Sequence, residues 1–263
     1  MSPAAHPPPP YPAPKSLLAG RTVLITAAAG TGIGFATARR CLEEGARIFV
    51  SDLHERRLGE AVERLRAINP DAVEGKLCDV TREGDVRALV ASAIGDLGHI
   101  DVLVNNAGLG GSAAVVDMTD EQWHKVLDVS LTSVFRMTRA VLPHMYERAA
   151  GAIVNNASVL GWRAQPLQAH YAAAKAGVMA FTRCAALEAA PRGVRINAVA
   201  PSIAMHAFLN RVTSEELLEE LTRREAFGRT AETWEVANVI VFLASDLASY
   251  MTGEVVAVSS QRA

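Results

Sequence analysis

From residue 21 onward, short apolar runs alternate with longer amphipathic ones, and this rhythm restricts the chain more than any single residue does. The short runs are ThrValLeuIleThr (22–26), ArgIlePheValSer (47–51), GlyLysLeuCys (75–78), ValLeuValAsn (102–105), AlaIleValAsn (152–155), ValArgIleAsn (194–197) and GluValValAlaVal (254–258), and they read as strands. Between them the apolar spacing predicts helices near 33–44, 54–67, 82–97, 120–148, 169–190 and 232–245. Strand followed by helix, repeated, predicts a parallel sheet, because parallel neighbours need a crossover and the crossover helices cover both faces. The expected fold class is therefore α/β: one doubly wound domain with a seven-stranded parallel sheet. A ligand crevice is expected at the carboxyl ends of the strands, so the residues that follow each strand are the ones to question.

The chain of 263 residues is long enough to bury one core of the larger kind, and no linker divides it. Its net charge of −2 is spread over helical segments, which leaves no basic stripe for a nucleic acid. The longest apolar runs, such as 239–244, are far too short for a membrane span. Cys41, Cys78 and Cys184 lie far apart with no CxxC, so they are expected as buried apolar residues rather than a disulfide or metal set, in keeping with a reducing cytoplasm. No metal site is expected. Seven of the first fourteen residues are proline, which excludes helix and sheet there. Residues 1–17 are expected as a flexible, extended and solvated tail, with a polyproline ligand as the alternative, and 18–263 as the folded domain.

The first strand runs into ThrAlaAlaAlaGlyThrGlyIleGly (26–34) and then directly into a helix. Glycines let a backbone approach a pyrophosphate, and a helix start offers free N–H groups, so Gly30, Thr31, Gly32 and Ile33 are candidate dinucleotide contacts. Asp52 ends the second strand, where a carboxylate can accept from the adenosine ribose hydroxyls and repel a 2′-phosphate; it can also cap the next helix. This favours NAD, although Arg56 and Arg57 nearby leave NADP open. Asp79, followed by Val80, can receive an adenine amino group or cap a helix. Asn106, Ala107 and Gly108 can line the crevice or bridge strands.

Tyr171 and Lys175 stand four apart in a helix-favouring run, so the phenol and ammonium share one face, and Ser158 lies thirteen residues upstream. A tyrosine acting as base near neutrality needs its pKa of about 10 lowered by roughly 3 units, about 4 kcal/mol. A cation about 4 Å away at an effective dielectric near 20 supplies about that much.

In this order, the glycine turn, Asp79, AsnAsnAlaGly (105–108), Ser158, the Tyr171 and Lys175 pair and AsnAlaValAlaPro (197–201) resemble the short-chain dehydrogenase/reductase family, from about Leu18 onward. The resemblance implies a Rossmann fold in which Tyr171 donates or accepts the proton, Lys175 holds the nicotinamide ribose and tunes the tyrosine, and Ser158 bonds the reacting oxygen. Pro201 to Ile203 would abut the carboxamide. It further implies a homotetramer packed through helices 120–148 and 169–190. The chain departs from the family pattern at three places. The glycine turn has one residue more than the usual TGxxxGxG, with Ala27 or Ala28 at the first glycine. Ser130 stands where the family has a proton-relay asparagine, and a hydroxyl there can still bond water, though it is shorter and lacks the paired donor and acceptor of an amide. ProSerIleAlaMetHis (201–206) replaces the usual ProGly start.

TAAAGTGIG, NNASVLGWRAQ, EAFGR and MTGEVVAVSSQRA are similar to actinobacterial members of steroid catabolism, which implies a CoA thioester of a bicyclic steroid remnant as substrate. Trp162, Arg163, Gln165 and His170 are then candidate substrate contacts, with packing or solvent the alternative for Trp162, Met205 and Arg163. The expected activity is hydride transfer between a nicotinamide and a secondary alcohol or ketone. Reduction of 3-oxoacyl thioesters is the runner-up, and a cofactor-sensing protein without turnover is the alternative of another class.

Overall fold

A computed structural model describes residues 6–205 and 215–261. Seven strands form one sheet: β1 (Thr22–Ile25), β2 (Arg47–Asp52), β3 (Val73–Leu77), β4 (Val102–Asn105), β5 (Gly151–Asn156), β6 (Val194–Pro201) and β9 (Val255–Val258), ordered β3-β2-β1-β4-β5-β6-β9. Every neighbouring pair is parallel. The order reverses between β1 and β4, which opens the crevice there.

Side chains alternate strictly across this sheet. Val23 and Ile25 of β1 face one core with α1 (Ile33–Glu43), α2 (Glu55–Arg66) and α8 (Thr233–Ala244), while Leu24 faces the other with α3 (Glu83–Leu97), α5 (Ser133–Arg148) and α6 (Ala169–Ala189). Both faces are thus covered, as the strand and helix alternation predicts. α4 (Asp120–Leu127) begins at a capping box on Thr119 and passes through a π turn, Asp128–Thr132, into α5, so the long helix expected over 120–148 contains a local widening.

Three features differ from expectation. β6 runs four residues further, to Pro201, because it pairs with β9 from Ala198 to Pro201. A short helix, α7 (Glu215–Arg224), and a two-stranded parallel sheet of β7 (Ala204–Met205) and β8 (Ala231–Glu232) lie between β6 and α8. Two-residue strands and a charged helix carry too little apolar periodicity to be read in advance. Cys41 and Cys78 are buried, but Cys184 is exposed on α6. His206 of the unusual ProSerIleAlaMetHis run lies outside the described residues.

Residues 6–17 of the proline-rich segment are mostly exposed and touch the folded domain at particular points. The Tyr11 ring meets Trp234 of α8 edge-on at 5.5 Å, has Arg39 and Arg40 of α1 over it, and its hydroxyl donates to Glu43. Glu44, fully buried and paired with Arg40, accepts the backbone N–H of Lys15 and Leu17 at 2.9 Å each. Apolar and charged partners on α1 hold a segment that composition alone assigns to solvent. Among the described residues, no helix is long and apolar enough to cross a membrane, and no cluster of three or more His, Cys, Asp or Glu is placed to hold a metal.

Candidate active site

The glycine turn lies at the switch point. Ala27 has φ +50°, which identifies it as the position where a first glycine is expected, and Gly30 has φ +89°. Gly34, in the first turn of α1, lies so close to β1 and β4 that a Cβ there would come within 2.4 Å of the Ala27 carbonyl and the Asn106 amide. Gly32 begins α1 with no side-chain cap and no acidic residue in the first turn. Those bare N–H groups and the helix dipole suit an anion.

Asp52 closes β2, mostly buried. Its Oδ1 accepts from His54 N at 3.0 Å and pairs with Arg57 at 3.4 Å, while Oδ2 faces Ala29 N at 3.4 Å. Burial raises its pKa, against the pull of Arg57. The carboxylate thus serves the loop before α2 and borders the glycine turn at once. Asp79 Oδ1 accepts both the N–H and hydroxyl of Thr81, the local turn reading, and Val80 is buried beside it. Asn106 bridges strands: its Nδ2 donates to Thr26 O and Ala27 O, and its Oδ1 accepts from Asn156. Ala107 N donates to Thr26 Oγ1, and Gly108 is exposed with the Lys175 amine beside it. Pro201 ends β6, and the Ile203 carbonyl accepts from Ala231 N, which ties that corner to β8.

Ser158 begins the 3₁₀ turn that follows β5, with its Oγ accepting from Leu160 N at 3.2 Å. Tyr171 and Lys175 lie one turn apart in α6; the Lys175 Nζ is 5.5 Å from the Tyr171 ring centre and donates to the Asn156 carbonyl at 2.6 Å. Sequence reading missed Asn156, which carries the lysine on its backbone and joins Asn106 through its amide. Only the register of β4 beside β5 brings those amides together.

The expected lowering of the tyrosine by the lysine does not appear. Burial pushes the Tyr171 phenol above its ordinary value, with a hydrogen bond from Ser158 opposing, and burial lowers Lys175 to about 8. Coulomb attraction taken alone omitted the desolvation of the phenolate, and desolvation is the larger effect. Tyr171 is therefore held as a neutral phenol, the form that can donate a proton to a substrate oxygen.

Ser130, fully buried in the π turn, accepts from Leu109 N and donates to Leu109 O, both at 2.9 Å. Its only proton is thus bound to a carbonyl, and the hydroxyl anchors the loop after β4. That loop is also held by Gln168 Nε2 on Gly111 O at 2.6 Å and by Ala113 N on Leu167 O at 3.1 Å. Buried His170 packs under Gly111, and Gly110 faces the Tyr171 ring. Trp162 and Leu167 are half exposed, whereas Arg163 bonds Gln261 near the C-terminus.

A family profile described as Enoyl-(Acyl carrier protein) reductase matches residues 27–260. A solved structure of a short chain dehydrogenase from Mycobacterium smegmatis superposes with a TM-score of 0.87 at 57% identity, covering 97% of this chain and 98% of that one. The chain belongs to the short-chain dehydrogenase/reductase family. It is therefore an oxidoreductase. A protein of Mycobacterium tuberculosis named (5R,7aS)-5-hydroxy-7a-methyl-1-oxo-2,3,5,6,7,7a-hexahydro-1H-indene-carboxyl-CoA reductase is 63% identical over 93% of this chain and 94% of its own length. A variant of actinorhodin polyketide ketoreductase, solved with NADPH, has a TM-score of 0.86 at 35% identity, covering 91% of this chain and 96% of that one.

Family membership implies a nicotinamide dinucleotide, and the residues fit one. The close approach at Gly34, the uncapped start of α1 and the Asp52 carboxylate line one side of the crevice, and the Lys175 amine beside Gly108 lies on the other.

Proposed function

We propose that this enzyme interconverts a secondary alcohol and a ketone on a steroid-derived CoA thioester, with NAD(H) as its cofactor. The observation that carries the reading is the constellation of partly buried Ser158 and Tyr171 with buried Lys175, beside the loop anchored by Ser130, in a chain 63% identical to a reductase named for such a thioester. Tyr171, held neutral, gives its proton to the substrate oxygen in reduction and takes it back in oxidation. Ser158 lies within reach of the phenol and steadies the same oxygen as charge develops on it. Lys175, fixed by the Asn156 carbonyl, places its amine beside the phenol. When bound, the nicotinamide supplies or accepts the hydride.

Asp52 supports NAD over NADP, because a carboxylate at the end of β2 repels a 2′-phosphate, and Arg57 beside it is already engaged by that carboxylate. Reduction of 3-oxoacyl thioesters is the second reading, favoured by the ketoreductase likeness. The exposed Phe135 of α5 and Leu187 of α6 support assembly as a homotetramer through those helices.

A cofactor-reduction screen should show turnover with CoA-linked hydroxy substrates of bicyclic type and little with short 3-hydroxyacyl thioesters. NAD should bind more tightly than NADP in titrations. Tyr171→Phe should lose turnover by at least 10³-fold while dinucleotide affinity stays within about threefold. Substantial residual turnover, or an NADP preference in the unmodified protein, would overturn the corresponding assignment.

A further inference from the structure

The lengthened glycine turn is gripped from outside the usual strand and helix pair. On its inner side Ala28 N donates to Ser51 O at 2.9 Å, and Ala29 N faces Asp52. On its outer side the carbonyl of Gly30 accepts from Arg64 Nη1 at 3.2 Å. Arg64 belongs to the second half of α2, far along the chain from the turn, and its guanidinium lies 4.1 Å over the ring of Phe35, a buried residue of the first turn of α1.

These contacts have a physical logic. Gly30 is at φ +89°, and beyond its chain neighbours nothing lies within 4 Å of the place where its Cβ would stand, so this corner of the turn lacks the packing that buried Ala28 has. A glycine peptide without such packing is free to reorient unless something holds its carbonyl. The planar guanidinium is suited to that work, because stacking on Phe35 fixes the plane of the fork and leaves an N–H directed at Gly30. Phe35 lies just beyond the α1 start whose N–H groups face the anion site. A cation at this place also adds positive potential to the crevice rim.

We propose that Arg64 is a positioning residue for dinucleotide binding, which holds the lengthened turn in the shape that receives the diphosphate. The inference rests on the reading of this crevice as a nicotinamide dinucleotide site. Arg64 then acts on binding and not on the chemical step, since α2, which carries it, packs on the opposite face of the sheet from α6, which carries Tyr171.

Titration calorimetry with NAD and NADH tests this. Arg64→Ala should raise both dissociation constants about tenfold, with kcat at saturating cofactor and KM for the substrate within twofold and Tm within about 2 °C. Gly30→Ala, strained by its positive φ with no side chain to clash against, should weaken binding by a similar factor. The double variant should lose no more than the worse single one, because both substitutions release the same turn. Arg64→Lys, which keeps a cationic donor without the planar fork, should recover part of the loss. Unchanged affinity in Arg64→Ala, a fully additive double variant, or a loss of Tm with no loss of affinity would overturn the role of Arg64. An unmodified protein that binds neither nucleotide would overturn the underlying reading as well.

Discussion

Ala27 shows how a single position can carry strain for the sake of a site. At φ +50° an L-residue bears a cost of about 1 kcal/mol that glycine avoids. Ala27 also presents its carbonyl to the Asn106 amide, within the small space between β1 and α1. Ala27→Gly should therefore stabilise the protein by about 0.5–1 kcal/mol, raising Tm by about 1–4 °C in a thermal melt. A lowered Tm would mean that the methyl group packs better than its backbone strain costs. Sequence comparison with the family pattern marks Ala27 and Ala28 equally; the dihedral angle decides between them.

At the scale of elements, the loop after β4 becomes a wall of the active site only because the π turn between α4 and α5 presents Ser130 to it. One hydroxyl satisfies both the N–H and the C=O of Leu109. Ser130→Ala would leave both without that partner in a mostly buried place, at a cost of about 1–3 kcal/mol. The loop carries Gly110 against Tyr171 and Gly111 against His170. We expect kcat/KM for the substrate to fall about tenfold at saturating cofactor, while dinucleotide affinity changes by less than twofold. Steady-state kinetics and a melt on the same sample check this, and an unaltered kcat/KM would remove Ser130 from the site. The π turn itself has no sequence signature, so the serine is visible in the sequence but its partner is not.

At the scale of the whole molecule, burying Lys175 costs stability in a way that pH reveals. Its pKa is about 8 in the folded protein against 10.5 for the free side chain, so between those values the unfolded chain binds more protons than the native one. Native stability contributed by this residue must therefore rise with pH from about 8 to 10.5, by up to about 3 kcal/mol. The buried thiols of Cys41 and Cys78, pushed up to about 12, act in the opposite sense above about pH 9. Urea unfolding of the unmodified protein and of Lys175→Met isolates the lysine, because the thiols are common to both. The gap in favour of the methionine variant should shrink as pH rises from 7.5 to 10, and a constant gap would show that the amine is not desolvated. The same whole-molecule view covers residues 6–17, which bridge α1, α8 and, through His6 N on Phe227 O, the segment after α7.

The order of strands and helices, the coverage of both sheet faces and the placing of Tyr171 and Lys175 one turn apart on a helix were legible in the amino-acid sequence, because they follow from periodicity and from side chains spaced along one local element. Periods of two and of about four residues survive any tertiary arrangement. What the tertiary structure alone decided depends on residues far apart in the chain: Lys175 held by Asn156 rather than dominating the tyrosine, Ser130 spent on Leu109, Arg64 reaching Gly30, and the proline segment laid on α1. Desolvation and the pairing of buried polar groups are properties of packed neighbours, and neighbours across strands and helices exist only once the chain has folded.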